Sequence, residues 1–423
     1  MTFSNEVFGK GSSDPKDFLT ESDIKKILTD FFSANNLSGK KVLVIIPDST
    51  RTMPLPLFFK LFYELIHDEV KTLDFMIALG THPPMSDEAI ADEIGISIEE
   101  MKGKYQDISF FNHHWDDPKT FIELGEFPKN EVIELTKGTV QRAIPIQINK
   151  IILNYDALIV LGPVFPHEVM GFSGGSKYFF PGISGPDLTN TTHWIGALHT
   201  CIKTIGLKIT PQRQLIERAA NLIPIPRLYC CPVVKKEGIF GFYAGEPYQT
   251  WEKAVDLSSQ VHVKYVDKPF KKVISVMPHL YDDIWTAGKG MYKLEPVVED
   301  GGELIIYAPH ITEISYTHGK TLDRIGYHCL DYFLKQWEKF KDEPWGILAH
   351  STHVTGLGTY ENGIEKKRIK VSLATGIPKE RCERVDLGYV NPQELNLQEY
   401  EHKEHEGILL VPYAGETLYR LKQ

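Results

Sequence analysis

The segment GFSGGSKYFFPG, residues 171–182, places a single lysine, Lys177, among glycines and serines. Consecutive small residues let backbone N–H groups approach an anion closely, and a lysine among them is either a charge clamp or a nucleophilic amine. The segment is not a P-loop, because Ser176 and Tyr178 stand where that motif needs glycine and a magnesium-binding hydroxyl. An ATPase is therefore not indicated. The alternative to an anion-binding loop is a glycine-rich turn whose lysine is solvated and has no function.

Several histidines could act in catalysis or bind a metal. His82 and His167 each follow an apolar segment, and two histidines that face one substrate can serve as general acid and general base near neutral pH. His193 follows the lysine loop at a predicted helix start, where it either caps the helix or ligates a metal such as Zn, Cu, Fe or Ni. His199 lies six positions later, on another face of a helix, so the two do not form an i, i+4 metal pair.

The segment PDSTR contributes Asp48 and Arg51 directly after an apolar run. A guanidinium is suited to bidentate binding of a carboxylate, and Asp48 could orient it. The alternative is a local surface salt bridge, worth about 0–1 kcal/mol.

The elements that must position these residues are predicted from apolar runs. Six runs each end in a loop rich in Asp, His, Arg or Thr, and helical patterns lie between most of them: KVLVII, DFMIAL, DALIVLGPV, KVISVM, ELIIYA and WGILA. This alternation predicts an α/β fold with mainly parallel sheets. Ligands of such sheets bind beyond the carboxyl ends of the strands, where the polar loops fall. A first helix is predicted after Thr20, from the spacing of Ile24, Ile27, Leu28, Phe31 and Phe32.

The length of 423 residues indicates two or three domains. The polar segment VKYVDKPFKK, residues 263–272, separates two α/β series. We expect an N-terminal α/β domain over 1–268 that carries the lysine loop and a second α/β domain over 269–404, with the active site in the cleft between them. The last segment, 405–423, is expected to form a strand and a short helix and to return to the N-terminal domain.

Composition narrows the classes of partner. The net charge of −10 argues against nucleic acid or an anionic membrane as the main partner, although a local basic cluster can still bind a small anion. Five cysteines without a C-x-x-C motif indicate neither a disulfide framework nor a zinc ribbon. The N-terminal stretch lacks the apolar core of a signal peptide, and no apolar run is long enough for a membrane span. We therefore expect a cytoplasmic protein.

These motifs together carry a resemblance. PDSTR, GTH, PH and GFSGGSKYFFPG followed by His193 resemble the lactate racemase family of nickel-pincer enzymes, and GK at 288–289, GG at 301–302 and VPYAGE extend the resemblance over nearly the whole chain. It implies a nickel-pincer nucleotide, a pyridinium-3,5-bisthiocarboxylic acid mononucleotide with nickel, joined covalently to the loop lysine. It also implies partner enzymes in the cell that make this cofactor.

The resemblance implies a role for each matching residue. These are Lys177 as the covalent anchor, the backbone of Ser173, Gly174 and Gly175 for the nucleotide phosphate, His193 as nickel ligand, His82 and His167 as the acid–base pair, Arg51 and Lys289 for the substrate carboxylate and hydroxyl region, Asp48 as support for Arg51, and Trp285 and Thr286 beside the substrate. The implied reaction is racemisation or epimerisation at C2 of a 2-hydroxy acid by transient hydride transfer to the cofactor.

Two departures bear on the substrate. The segment WTAGK has Trp285 and Thr286 where members acting on lactate carry tyrosine and glutamine, and GTHPP has Pro83 where arginine is frequent. We therefore expect a substrate larger than lactate, such as an aldonate. Lactate racemase proper, a dehydratase or aldolase with a Schiff base at Lys177, and a non-catalytic sugar-acid-binding protein remain alternatives. The oligomeric state is not indicated.

Overall fold

A computed structural model describes residues 3–422. Its strands form two larger sheets and four small two-stranded sheets. In chain order the strands are β1 (Val7–Gly11), β2 (Lys41–Ile46), β3 (Thr72–Ile77), β4 (Phe110–Asn112), β5 (Phe121–Phe127), β6 (Ile144–Asn149), β7 (Ala157–Leu161), β8 (Pro166–His167), β9 (Gly171–Phe172), β10 (Arg227–Lys235), β11 (Gly238–Gly245), β12 (Val263–Val266), β13 (Phe270–Val276), β14 (Val298–Ala308), β15 (Gly358–Glu361), β16 (Ile364–Lys367), β17 (Lys370–Thr375), β18 (Gly388–Tyr389), β19 (Ile408–Val411) and β20 (Leu418–Leu421).

The helices lie between the strands. They are α1 (Glu21–Ala34), α2 (Leu55–Ile66), α3 (Asp87–Ile94), α4 (Ile98–Lys102), α5 (Lys129–Leu135), α6 (Pro186–His199), α7 (Cys201–Thr204), α8 (Pro211–Ala220), α9 (Pro247–His262), α10 (Ile284–Ala287), α11 (Lys289–Tyr292), α12 (Gly319–Ile325), α13 (Leu330–Lys335), α14 (Trp337–Phe340), α15 (Trp345–Thr355) and α16 (Lys379–Arg384). The predicted first helix is confirmed: Thr20 and Asp23 form a capping box at its start.

The two larger sheets are mainly parallel, as predicted. The seven-stranded sheet has the order β1-β11-β10-β7-β2-β3-β4, and only its pairings with β11 are antiparallel. The five-stranded sheet, β18-β17-β14-β13-β19, is parallel throughout. In both sheets the carboxyl ends of the parallel strands meet at one edge, so the loops that follow them lie together.

Strand β2 is a continuous apolar run because the hydrophobic core covers both of its faces. Leu43 and Ile45 pack on one side of the seven-stranded sheet, and Val42 and Val44 pack on the other. Successive side chains of a strand point to opposite faces, so a strand covered on both faces is apolar at every position. The cluster around Leu43 also contains Leu304 of β14. One hydrophobic core therefore runs from the larger sheet into the smaller one.

Two predicted elements are wrong. WGILA belongs to helix α15 and not to a strand. Every residue from Gly346 to Thr355 is buried, and a helix buried all round shows no periodicity that would separate it from a strand. The end of the chain forms strand β20 in place of the expected short helix.

The two larger sheets fall on either side of the proposed boundary at 268/269, which lies within the segment 263–272. All strands of the seven-stranded sheet precede residue 268, and all strands of the five-stranded sheet follow residue 269. Within the last segment, β19 joins the five-stranded sheet, whereas β20 pairs in parallel with β12. We retain the division at 268/269 as a proposal. Among residues 3–422, no helix combines the length and the apolar character needed to cross a membrane.

Candidate functional site

A cleft opens where the loops after β2, β3 and β7 meet α6, α10, α11 and α15. It is lined by every site residue predicted from the sequence except Gly175. Those residues are Asp48, Arg51, His82, His167, Ser173, Gly174, Lys177, His193, Trp285, Thr286 and Lys289. The cleft thus collects side chains from both sides of the proposed domain boundary.

His82 and Asp48 form a pair at the ends of β3 and β2. Nδ1 of His82 contacts Oδ2 of Asp48, which is buried. Burial alone would raise the pKa of Asp48, but the charge and hydrogen bond of His82 and the charge of Arg51 hold that pKa below its usual value. An ionised carboxylate only accepts hydrogen bonds, so Nδ1 of His82 carries a proton. In the neutral imidazole, Nε2 then keeps a lone pair that can accept a proton.

Arg51 is linked to Asp48 through Thr50, so the support that the resemblance implies for Arg51 would be indirect. The Thr50 hydroxyl donates to Oδ1 of Asp48 at 2.7 Å. Nη1 of Arg51 donates to the same hydroxyl at 2.8 Å and to the Thr50 carbonyl at 3.1 Å. Asp48 therefore holds His82 directly and Arg51 indirectly.

His167 is held by the main chain. Its Nδ1 accepts hydrogen bonds from the backbone N–H groups of Val169 at 3.1 Å and Met170 at 3.3 Å. The Glu168 carboxylate lies 3.5 Å from the same nitrogen, but burial and the charges of Lys177 and Arg51 lower the pKa of His167 well below its usual value. The ring is therefore neutral at physiological pH, with its proton on Nε2.

Lys177 lies in the single 3₁₀ turn Gly175–Tyr178 and lines the cleft. Within residues 3–422, its amine forms neither a hydrogen bond nor an ion pair. Burial, reinforced by the charge of Arg51, lowers the pKa of Lys177 to about 7. A substantial fraction of this amine is therefore neutral and nucleophilic near physiological pH.

His193 lies in the middle of α6, because the helix begins at Pro186 and not at the predicted start near Thr189. Its Nδ1 lies 2.7 Å from the Thr189 carbonyl one turn earlier. A carbonyl only accepts, so Nδ1 donates and Nε2 keeps its lone pair. This is the tautomer that metal-ligating histidines use, with the second nitrogen fixed by a carbonyl or carboxylate.

The glycine loop offers less to an anion than its sequence suggests. The backbone N–H of Ser173 donates to the Phe165 carbonyl at 2.8 Å, so the prediction that this amide receives a phosphate is wrong. Gly175 is buried and does not line the cleft. Of the three predicted residues, Gly174, with φ of 78°, is the one that lines the cleft with its amide uncommitted.

A buried arginine, Arg213, holds this loop by hydrogen bonds to its carbonyls. The sequence did not single this residue out. Arg213 of α8 donates to the carbonyls of Phe172 and Gly174, and its guanidinium lies 4.3 Å from the centre of the Trp251 ring. Ser176 donates to Glu217 at 2.6 Å. The loop is thus anchored through its carbonyls and Ser176, and Lys177 is the charged side chain that it contributes to the cleft.

The wall of the cleft formed by α10 and α11 carries a second lysine. Lys289 lies 4.4 Å from the centre of the Tyr281 ring, and burial and the charge of Arg51 lower its pKa well below the usual value. An anionic ligand between Lys289 and Arg51 would restore this charge. The neighbouring Thr286 uses its hydroxyl to donate to Asp283 at 2.9 Å in the cap of α10.

Among the cleft-lining residues that the sequence did not single out are a carboxylate and two imidazoles, those of Glu168, His350 and His353. The two histidines lie in HSTHVTG, directly after WGILA, and a strand prediction for WGILA places no helix there. On a helix, His350 and His353 are three positions apart and share one face. A further histidine, His318, packs on Trp285 with ring centres 4.4 Å apart but does not line the cleft.

Comparisons with known proteins match the N-terminal part of the chain to a described family. A family model described as the lactate racemase N-terminal domain matches residues 14–204. The lactate racemase of Thermoanaerobacterium thermosaccharolyticum is 26% identical over 276 residues, which span 64% of this chain and 60% of that sequence.

Solved structures extend the similarity over the whole fold. A crystal structure of a protein from Thermotoga maritima is 35% identical, with a TM-score of 0.89 over 96% of this chain and 99% of that one. The lactate racemase apoprotein of Thermoanaerobacterium thermosaccharolyticum shares the fold at 21% identity, with a TM-score of 0.70 over 95% of this chain and 93% of that one. With the motifs and the cleft described above, these matches show that the chain belongs to the lactate racemase family.

Proposed function

We propose that this chain racemises or epimerises a 2-hydroxy acid at C2, with a nickel-pincer nucleotide held by Lys177 and His193. One observation carries the proposal. The unpaired amine of Lys177 and the imidazole of His193 line the same cleft as His82 and His167. An anchoring amine, a metal ligand and two proton-transfer groups thus meet at one place.

The side chains fit most of the implied group. The amine of Lys177 is free to form a covalent bond, and the Thr189 carbonyl leaves Nε2 of His193 available as a ligand for nickel. The phosphate has less support, because Gly174 is the one predicted loop residue that both lines the cleft and has its amide free within residues 3–422. The chain would depend on enzymes that synthesise this cofactor.

The remaining residues have roles that follow from their contacts. The chemistry that the cofactor supplies is reversible uptake of the C2 hydrogen with its two electrons, so the hydroxy acid becomes a keto acid and returns without net redox change. Arg51 and Lys289 bind the substrate carboxylate. Nε2 of His82 accepts the hydroxyl proton, and Nε2–H of His167 donates to a substrate oxygen.

Lys177 and His193 can be tested separately. The chain is produced together with enzymes that make the cofactor, and its intact mass and nickel content are measured. We expect an adduct of a few hundred daltons and about one nickel per chain, the stoichiometry of a single metal site. Lys177→Arg keeps a charge but loses the primary amine, so it should abolish the adduct and the activity; His193→Ala should lose nickel and keep the organic adduct.

The exposed Lys268 provides a matched control. Lys268→Ala should retain the adduct, the nickel and turnover. Wild-type turnover by Lys177→Arg would rule out the covalent cofactor. Tight binding of sugar acids without turnover of any 2-hydroxy acid by the loaded protein would favour a binding protein.

The pKa of about 7 at Lys177 also suits a dehydratase or aldolase that forms a Schiff base. Borohydride treatment of metal-free protein with a 2-keto acid distinguishes the two. A Schiff-base enzyme would gain a stable mass on Lys177 in this experiment. We expect no such trapping, because the proposed reaction forms no bond between Lys177 and the substrate.

For the substrate, we propose a 2-hydroxy acid larger than lactate, aldonate-like, with lactate itself as the alternative. The support from sequence is Thr286, which is smaller than the glutamine found in members that act on lactate. Because the Thr286 hydroxyl is already bonded to Asp283, this residue adds space and not a binding group. Any recognition of further substrate hydroxyls has to come from other side chains.

A further inference from the structure

Helix α15 forms a polar wall of the cleft. His350 and His353 both line the cleft and are 7% and 3% exposed. Gly288 allows α15 to approach closely, because a Cβ at this position would lie 2.8 Å from Val354 and 3.4 Å from His350. Two imidazoles on a buried helix are an unusual wall for a site that would bind only a short apolar acid.

His353 has an unsatisfied nitrogen. Its Nε2 is buried and finds no hydrogen-bond partner within residues 3–422. A buried polar atom without a partner is costly, so a bound group that meets it adds to affinity. The nitrogen belongs to a side chain that lines the ligand cleft and also a neighbouring cavity beside Thr352 and Glu295, which distinguishes it from orphan atoms whose side chains line no cavity.

His350 is held in place by its neighbours. Its ring centre lies 4.1 Å from that of Trp285, and its Nε2 lies 3.4 Å from the Tyr327 hydroxyl. The ring therefore has a fixed position beside the cleft. This gives the predicted site residue Trp285 a second function, which is to support a histidine.

The charge of the two imidazoles indicates which groups they suit. Burial, together with neighbouring histidines, lowers the pKa of His350 well below its usual value; burial also lowers that of His353 to about 4, although the charge of Glu168 opposes this. A neutral imidazole offers one donor and one acceptor, which matches a hydroxyl. A second carboxylate would need a cation here, and an alkyl chain would leave the Nε2 of His353 unsatisfied.

We propose that His350 and His353 are specificity-determining residues that bind hydroxyl groups beyond C2 of a polyhydroxylated 2-hydroxy acid. This inference rests on the proposed function and narrows its substrate class. Arg51 and Lys289 hold the carboxylate end, and the α15 wall binds the hydroxylated chain. The acids that it excludes are those with an apolar chain or a second carboxylate.

The test compares two six-carbon acids that differ in their hydroxyl groups, gluconate and 2-hydroxyhexanoate, on the cofactor-loaded enzyme. Malate and lactate complete the panel, and the C2 epimers of gluconate and the enantiomers of the other acids are separated by chromatography. We expect gluconate to exceed 2-hydroxyhexanoate in kcat/KM by about 100-fold or more, because a site built to bind hydroxyls strongly rejects an analogue that lacks them. A higher kcat/KM for 2-hydroxyhexanoate, malate or lactate than for gluconate would overturn the inference.

Substitutions then assign the effect to α15. His353→Phe and His350→Phe keep a ring but remove its nitrogens, and each should lower the gluconate-to-2-hydroxyhexanoate ratio at least about tenfold. His353→Gln should recover part of that ratio. His318→Phe is the matched control, since His318 also packs on Trp285 but does not line the cleft. Equal losses for both acids would mean that the histidines only support the fold.

Calorimetry separates this inference from the proposed function. Gluconate and 2-hydroxyhexanoate are titrated into the loaded wild-type protein and into His353→Phe. If no acid is isomerised, the proposed function fails, yet a binding preference for gluconate that His353→Phe loses would still support the α15 wall. If both acids are isomerised and bound equally well, the proposed function stands and the inference fails.

Discussion

The two sides of the cleft hold their reactive groups in different ways. On the side formed after β2 and β3, the carboxylate side, Asp48 contacts His82 and is linked through Thr50 to Arg51. On the side formed after β7 and by α6, the backbone side, the main chain holds His167 and His193, and Lys177 is unpaired. Side chains position one half of the site, and backbone geometry positions the other.

This difference assigns unequal roles to the two histidines. Asp48 leaves a lone pair on Nε2 of His82, whereas two amides leave a proton on Nε2 of His167. To accept a proton at Nε2, His167 must give up the hydrogen bonds of both amides or change their geometry. At rest, Nε2 of His82 can therefore accept a proton and Nε2–H of His167 can donate a hydrogen bond, which are the two roles that the proposed function needs.

The largest effects should come from removing either histidine. His82→Ala and His167→Ala should each lower kcat/KM by about 10²–10⁴-fold, the usual contribution of general acid–base catalysis. Because the equilibrium constant is fixed, kcat/KM must fall equally in both directions. The asymmetry should appear in kcat and KM measured separately from each epimer.

The exposed His114 supplies a control for this pair: His114→Ala should leave the rate and the melting temperature unchanged. If His82→Ala and His167→Ala give identical kcat and KM values from both epimers, the two sides are equivalent and the comparison is wrong. A lower melting temperature with full activity in the folded fraction would show that the histidines serve only the fold.

A smaller effect should follow from changing the carboxylate that holds His82. Asp48→Asn replaces an acceptor with a group that can donate to Nδ1, which moves the His82 proton to Nε2 and removes its lone pair. We expect kcat to fall about 100-fold. The matched variant is Glu168→Gln, because Glu168 lies beside His167 without bonding to it; it should cost less than about tenfold.

Initial rates with the favoured epimer, with melting curves as a check on folding, decide this prediction. Equal losses in Asp48→Asn and Glu168→Gln would mean that both histidines depend on a carboxylate. The assignment of His167 to the backbone side would then be withdrawn.

The two sides also differ in how well the sequence predicts them. The strands β2, β3 and β7 are apolar at nearly every position, so their existence and the meeting of Asp48, His82 and His167 beyond their ends follow from strand patterns alone. The pairing of His82 with Asp48 joins residues 34 positions apart. It depends on side-chain packing that no local pattern encodes.

The failures have a common cause. The backbone N–H of Ser173 already donates to the Phe165 carbonyl. The histidines of α15 share a face only because WGILA is helical. A glycine-rich pattern indicates which amides could bind an anion but not which are already bonded, and a fully buried helix carries no amphipathic signal. Both kinds of information appear only when the chain packs.

The smallest predicted effect concerns stability and pH on the backbone side. The pKa of Lys177 is lowered to about 7 in the folded protein from an ordinary value of 10.5. Between these two values the unfolded chain holds a proton that the folded chain has lost, so stability rises with pH across this window.

Lys177→Met removes the buried amine and this dependence. In cofactor-free protein it should raise the melting temperature by about 1–2 °C near pH 7, the shift expected for roughly 1 kcal/mol in a chain of this size, and this advantage should shrink as the pH approaches 10. Arg51→Met should do the opposite, because Arg51 is bonded through Thr50 to the carboxylate side and its loss removes a compensated cation. Melting curves of both variants and of the exposed control Lys268→Met, recorded from pH 6 to pH 10, test the contrast. If Lys177→Met is destabilising at pH 7, or if its effect does not change with pH, Lys177 is not a strained, unpaired amine and the two sides of the cleft do not differ as described.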